Sequence, residues 1–488
     1  MSSKVIEAGK VVLIGSFISR GISALSSIIL ARLLFENDYG ALVIATIFTG
    51  LISQIGGMGY EIYYLQYKGS EEEKAKVLDQ VFNLRLVTNA IMFIIQIIIG
   101  FGLILLTDDK MSGGIILIMS FSLLLEGFNA PNEVILKNRM DFRKITIGNI
   151  LKEFFSTIGK VGGALIGIGG YCFGIGPVLG SLTRMIYLLK VQKYRPERFN
   201  WNKLIIKRVF DFGKQVLFGS LAMYLVKQID RILLSSFYPK NVVGQYGFAS
   251  NISSAPFNYL VSPQQALVMT FIATYNRKKS QLLENLMMME RLISLFFIPF
   301  SAFILIFSNE FIVLLFSDRW LSVLPIFRLL VLYYAIQSIT FPFSGVLTGI
   351  GMPHINTKLV IWRVVFLLPA LILVSLLFRN DIMNYVLVFC IISALFDIIK
   401  VVISISKINE DCNISLRNFR FEVISLLMIL CIYLTNFDQN SIYVKIISTA
   451  CFLIFYLTSI FVIDFVRTKN SVTILGKAII ERSIKKST

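Results

Sequence analysis

The sequence predicts an all-α membrane protein, with about 14 transmembrane helices in two pseudo-symmetric six-helix lobes plus two C-terminal helices. Three observations predict it. Only 16% of the 488 residues are charged, where a soluble domain carries about 25%. Apolar runs of about 20 residues, each long enough to cross a bilayer, recur from end to end. A stretch near the start of the chain also returns, without a gap, 204 residues later.

Apolar runs bounded by charged breaks place the spans at approximately 11–33, 40–64, 82–106, 113–136, 145–168, 170–189, 212–236, 243–273, 286–307, 321–349, 357–378, 382–405, 421–436 and 442–465. The first run is full length and "MSSKVIEAGK" carries no small-residue cleavage site, so it reads as a retained helix. The loops test the count, because cytoplasmic loops are enriched in Lys and Arg. One alternate set is basic: "LKNRMDFRK" (136–144), "KVQKYRPERFNWNKLIIKR" (190–208), "NRKKS" (276–280) and the tail from Arg467. The other set is short and poor in base, including "LTDDKMSGG" (106–114), "GIGGY" (167–171) and "RNDIMN" (379–384). This alternation predicts both termini in the cytoplasm. It also accounts for the net charge of +18 without invoking nucleic acid. The loop 190–208 is further expected to form an amphipathic surface helix.

At the offset of 204, "VLIGS" (12–16) falls on "VLFGS" (216–220), and "NDYGALVIA" (37–45) falls on "NVVGQYGFA" (241–249). Nine of the 34 positions from 12 to 45 are identical, among them Asn37 on Asn241 and Gly40 on Gly244. Helices one and two therefore correspond to seven and eight. A shift of six spans preserves direction across the membrane, so the halves are parallel repeats about an axis along the membrane normal. The expected organisation is an N-lobe over 1–190, a basic cytoplasmic linker over 191–211, a C-lobe over 212–406, and helices thirteen and fourteen with a basic tail over 407–488.

Little here supports an enzyme. The five cysteines are scattered without a CxxC pair, His354 is the only histidine, and no P-loop occurs. A membrane glycosyltransferase or polymerase would need an acidic or metal-binding pocket on a large loop, and the longest loop is basic and about twenty residues. No metal or cofactor is expected.

The segment "IILARLLFENDYGALVIATIFTGLISQIGGMGYEIYYLQYK" (28–68) resembles the opening of the Wzx-type O-antigen and capsule flippases, members of the multidrug/oligosaccharidyl-lipid/polysaccharide exporter superfamily. The matching residues are Ala31, Arg32, Leu33, Leu34, Asp38 and Gly40, with Asp230, Arg231, Gly244, Gln245 and Tyr246 in the second half. "LTGIGMPHINTKLVIWRV" (347–364) is similar to the family's Gly-x-Pro turn; "LVSPQQALV" (260–268) lacks the family's Phe-Pro. The resemblance implies a bacterial inner-membrane flippase. It would move an undecaprenyl-pyrophosphate-type glycolipid from the cytoplasmic to the outer leaflet by alternating access, beside polysaccharide polymerase and assembly proteins, with Na⁺ or H⁺ coupling. Rival readings within the superfamily are a lipid II flippase and a drug/cation antiporter; the latter usually has twelve spans and a cavity that welcomes cations.

Ionisable residues inside a span must face protein or a wet cavity. Fifteen are read in the spans: Arg20, Glu126, Lys152, Glu153, Lys160, Arg184, Lys214, Lys227, Asp230, Arg231, Glu290, Arg291, Arg328, Arg363 and Asp397. Ten are cations and five are carboxylates, a surplus that suits pyrophosphate or an acidic sugar. Arg20, Lys152, Lys160, Lys227, Arg231 and Arg363 are the candidate substrate-binding cations. Asp230, Glu126, Glu153 and Asp397 are the candidate coupling carboxylates. Lys227 and Arg231, four apart, share a helix face; a structural Lys227–Asp230 pair with Arg231 reaching the headgroups is the competing reading. Lys214, Arg184, Glu290 and Arg291 lie near the cytoplasmic side and are expected to snorkel.

Overall fold

In hydrocarbon a backbone must bond to itself, and a chain this apolar meets that demand by coiling. The computed structural model describes residues 3–192, 201–275, 279–379, 381–408, 420–435 and 441–458. Among these, no strand occurs. The helices are α1 (Ser3–Leu33), α2 (Glu36–Gly57), α3 (Tyr60–Gln66), α4 (Glu71–Leu106), α5 (Lys110–Asn138), α6 (Phe142–Ile166), α7 (Cys172–Gln192), α8 (Lys203–Phe237) and α9 (Lys240–Pro256). They continue with α10 (Gln265–Tyr275), α11 (Lys279–Ile306), α12 (Ser308–Phe316), α13 (Leu324–Thr340), α14 (Val346–Gly349), α15 (Pro353–Leu377), α16 (Ile382–Ile408), α17 (Arg420–Leu434) and α18 (Ile442–Thr458).

Ten helical segments among the described residues are long and apolar enough to cross a membrane, against the fourteen expected. The difference has local causes. α6 carries Lys152, Glu153 and Lys160 along its length, the expected span 243–273 is interrupted, and α17 and α18 are short. Much of the linker (193–200) and the tail beyond 458 lie outside the described residues.

Two of the helices that start earlier than the apolar runs suggest do so because of a cap. α4 begins eleven residues before position 82 because Ser70 and Glu73 form a capping box: the Ser70 hydroxyl accepts the Glu73 N–H (3.3 Å) and the Glu73 carboxylate accepts the Ser70 N–H (3.0 Å). α8 begins at Lys203 because the Asn202 side chain accepts the N–H groups of Leu204 and Ile205. Lys203 to Arg208 are thus the first turns of α8, rather than a separate surface helix.

The chain forms two units, Met1–Gly247 and Phe248–Thr488. In the first, small residues let helices approach closely, as membrane packing requires without a hydrophobic driving force. Gly159 on α6 faces Gly176 on α7, while Gly163 of α6 meets Cys172 and Gly180 of α7 meets Lys152 and Ser156; a Cβ on Gly180 would lie 2.5 Å from the Lys152 carbonyl oxygen. Buried amides tie α4 to α5: Asn89 donates to the Leu123 carbonyl (2.9 Å) and Gln96 to that of Ile116 (3.1 Å).

One end of this unit gathers four helix connections. The Asp38 carboxylate accepts the Phe35 N–H (2.8 Å) at its own helix start and the Gly170 N–H (2.8 Å) from the α6–α7 turn. Lys240 pairs with Asp109, the N-cap of α5, and Gln245 donates to Glu36 (2.9 Å). At the same place the starts of α2 and α9 touch through glycine. A Cβ on Gly40 would lie 2.1 Å from the Lys240 carbonyl oxygen, and one on Gly244 would lie 1.8 Å from the Glu36 carbonyl oxygen. Glu36 and Lys240 are themselves equivalent at the offset of 204. The contact is therefore reciprocal, as a two-fold relation between repeats demands.

α2 and α3 are parts of one interrupted helix. The break falls at Met58 (φ 41°) and Gly59 (φ 64°), where α8 presses in: a Cβ on Gly59 would lie 2.5 Å from Val216. Arg85 on α4 bridges it, donating to the Gly56 carbonyl and pairing with Glu61 (3.4 Å). A cation at the end of one helix segment and a carboxylate at the start of the next compensate both helix dipoles. The second unit is interrupted too, by a π-turn at Phe257–Val261 and a 3₁₀ turn at Ser262–Gln264.

The second unit is built around α11, whose Leu282, Leu286, Met289, Ile293 and Phe297 are buried with Val268, Ile272, Phe343 and Ile405. Trp320 is fully buried and stacks on Phe248 at 3.8 Å. α18 docks through Tyr456, whose hydroxyl donates to the Ser294 carbonyl (2.8 Å), and through a buried Lys445 paired with Glu310.

Two outcomes follow from the gathered end. Gly244→Ala should destabilise the protein by about 1–3 kcal/mol, since the Glu36 backbone must move, whereas Gly102→Ala, with nothing within 4 Å, should cost nothing; thermal unfolding in detergent distinguishes them. Burial pushes the Asp109 carboxyl up, but the Lys240 ammonium and the Ser112 bonds outweigh it and hold the group below its ordinary value. The stability from this site is then present above about pH 4 and is lost as pH falls through the depressed value, so Asp109→Asn should flatten the acid limb of the unfolding profile.

Candidate functional site

Polar groups inside the first unit converge where α5, α6 and α7 meet. Glu126 and Glu133 are seven apart on α5 and so share a face. Glu126 pairs with Lys152 of α6 and with Arg184 of α7 (3.2 Å), and accepts the Ser181 hydroxyl (3.3 Å). Glu133 pairs with the other arm of Arg184 and with Lys137 (2.8 Å). Two carboxylates thus stand among three cations. Further along α6, Lys160 lies 3.8 Å from Glu153.

Arg184 does not snorkel. Its side chain is 7% exposed and forks between two carboxylates, a geometry its planar guanidinium fits and an ammonium does not. Glu290 and Arg291 are also buried, at 1% and 9%, with Glu290 accepting the Ser294 hydroxyl (2.9 Å). Lys214 is exposed, beside Asp211 (3.5 Å) and over the Phe210 ring, as a residue reaching the interface should be.

On α8, Asp230 is buried and accepts the Tyr246 hydroxyl (2.6 Å). Lys227 is exposed, Arg231 is half-buried, and Arg20 is half-buried on α1. In the second unit, Arg363 of α15 lies 3.6 Å from Asp397 of α16. The Tyr333 hydroxyl of α13 is 3.4 Å from the same carboxylate, and the Gln337 amide donates to Tyr333 (3.4 Å). Lys400 adds a second positive charge beside Asp397.

Three candidate substrate cations are therefore brought onto candidate coupling carboxylates: Lys152 onto Glu126, Lys160 onto Glu153, and Arg363 onto Asp397. Glu133 and Lys400 belong to these polar groups and escaped the sequence reading, as did Arg85 at the α2–α3 break. Glu133 had a signal, its heptad spacing from Glu126. In both groups, the α5–α6–α7 cluster and that around Asp397, the cations outnumber the carboxylates.

Arg184→Met should cost about 1–3 kcal/mol, because each carboxylate loses a charge-assisted hydrogen bond and keeps only its lysine, Lys152 for Glu126 and Lys137 for Glu133. Adding Glu133→Gln should recover part of that loss in the same detergent melt, since one under-compensated charge is then removed.

Comparison with known proteins gives the same architecture. The lipid II flippase MurJ, in an inward closed conformation, matches with a TM-score of 0.70 at 18% identity, covering 93% of this chain and 99% of that one. An inward-facing multidrug resistance MATE transporter of the MOP superfamily matches with a TM-score of 0.64 at 13% identity, covering 80% and 95%. In sequence, the succinoglycan biosynthesis transport protein ExoT of Rhizobium meliloti (strain 1021) is 21% identical over 66% of this chain and 65% of its own length, just under two thirds. The lipopolysaccharide biosynthesis protein WzxC of Escherichia coli (strain K12) is 19% identical over 76% and 75%. The model of the family described as polysaccharide biosynthesis protein matches residues 29–325, more than half of the sequence, and the chain belongs to that family as a multi-pass helical membrane protein.

Proposed function

We propose that the protein is a flippase of the bacterial inner membrane, with both termini in the cytoplasm. It carries an isoprenoid-pyrophosphate-linked oligosaccharide from the cytoplasmic to the outer leaflet for polysaccharide assembly. The observation that carries this reading is the excess of cations over carboxylates in the polar groups of both units, in a chain of the polysaccharide biosynthesis family. A doubly charged pyrophosphate must leave water to cross, and fixed guanidinium and ammonium groups replace its hydration. Arg20, Lys152, Lys160, Lys227, Arg231 and Arg363 are the cations proposed to meet it in turn. Two lobes, 1–190 and 212–406, would rock in alternating access, with 191–211 as linker and 407–488 as appendage. Na⁺ or H⁺ binding at one of Glu126, Glu153, Asp230 or Asp397 would drive the cycle. Each of these carboxylates has a polar partner that an arriving cation or proton would displace.

Deleting the gene should make lipid-linked oligosaccharide accumulate on the cytoplasmic face, and Lys227→Ala at normal expression should fail to clear it. Undiminished polysaccharide export in the deletion strain overturns the reading. Export restored by Lys227→Ala leaves the flippase in place but removes that lysine from the substrate path.

A further inference from the structure

α2 and α8 pack side by side and touch through glycine at two heights. At Gly59 the partner is Val216, an apolar contact that has no direction. At Gly50 it is a hydroxyl. A Cβ on Gly50 would lie 2.3 Å from the Tyr224 hydroxyl oxygen, so glycine leaves the room that the hydroxyl fills. That hydroxyl donates to the Thr46 carbonyl (3.0 Å) and the Ile47 carbonyl (2.8 Å), one proton shared between the two. Both carbonyls lie inside α2, where helical bonding leaves a second lone pair on each. A hydrogen bond weakens steeply off its axis, so this contact fixes how α8 is turned about its own length.

The turn of α8 decides where the next charges on that face point. Lys227 and Arg231 are three and seven residues beyond Tyr224, so all three line one side of the helix. Lys227 is exposed and makes no ion pair among the described residues; its neighbour Asp230 is buried and accepts the Tyr246 hydroxyl (2.6 Å) instead. Lys227 is also deep. Eleven residues, about 16 Å of helix, separate it from Tyr238 at one end, further than a lysine stem reaches, and thirteen separate it from Lys214 toward the other. An ammonium at that depth needs water or protein around it, and the structure leaves it uncovered. The first repeat fills the equivalent places differently: at the offset of 204, Tyr224 falls on Arg20 and Lys227 on Ser23. Each half puts a cation on this face, one turn apart, and the second half uses the freed position as an anchor.

We infer that Tyr224 is a positioning residue for the pyrophosphate of the cargo: its bond to α2 holds α8 turned so that the Lys227 ammonium stays apart from Asp230 and open to the translocation path. Without the hydroxyl, α8 is free to turn Lys227 toward Asp230 or toward hydrocarbon, and either removes it from phosphate. The inference rests on the flippase reading for what Lys227 meets, though not for where Lys227 points.

The test uses full-length protein in broken native membranes, with its five cysteines replaced by alanine and Lys227→Cys added. The probe is a charged methanethiosulfonate, which reacts only where water reaches the thiol. It should modify that thiol when Tyr224 is present. Tyr224→Phe, which keeps the ring, should slow modification about tenfold, the shift that one lost hydrogen bond allows, with little change in melting temperature. Gly50→Ala displaces the hydroxyl from the other side and should do the same; the two together should be no worse than either alone. In the deletion strain, Tyr224→Phe with Lys227 intact should clear lipid-linked oligosaccharide about tenfold more slowly than the wild type. A thiol that is unreactive with Tyr224 in place, or equally reactive with and without the hydroxyl, overturns the positioning role. Full-rate clearance by Tyr224→Phe despite slowed modification overturns it too. A wild type that clears no lipid while the modification rates still differ overturns the flippase reading and leaves Tyr224 as the anchor of α8.

Discussion

Hydrocarbon gives a polar group nothing to bond, and that constraint decides where each charge in this protein goes. Arg184 shows how it works. Left to itself at that depth, a guanidinium would be costly, so it is enclosed between Glu126 and Glu133, with Ser181 and Lys152 completing the first carboxylate and Lys137 the second. The three helices that contribute these groups can come close enough only because glycines line the α6–α7 contact. Packing and electrostatics are thus one problem here: the small residues permit the approach, and the ion pairs make it specific.

The same constraint governs the broken helices. A helix interrupted inside a membrane exposes carbonyls on one side and amides on the other. In the first unit the break is covered by Arg85 and Glu61, which supply opposite charges to the two exposed ends. In the second unit the helix is interrupted by a π-turn and a 3₁₀ turn instead.

Much of this was legible in the sequence, because membrane helices declare themselves by apolar length and loops by their basic residues. The alignment of Gly40 on Gly244 was legible in the sequence, and in the structure each of the two glycines lies against the other's helix start. Helix starts were less legible, since the acidic run at Glu71 looked like a break until its Ser70–Glu73 cap was considered. The partners of buried charges were not legible at all. Arg184 is 58 residues from Glu126, and no spacing rule links them; depth in a span told how far it lay from an end but not which way it pointed.

The reciprocal crossing of Gly40 and Gly244 has a consequence for descent. Glu36 presents its carbonyl to Gly244 as Lys240 presents its own to Gly40. In a half-length protein, before the two halves shared a chain, the same contact would have joined two identical molecules across a dyad. The tightest point of that dimer would then have been a glycine facing its own copy's backbone, and duplication would have inherited an assembled interface instead of having to invent one. The glutamate on one side and the lysine on the other at that carbonyl are an asymmetry only a single chain can carry, because in a homodimer every substitution appears twice.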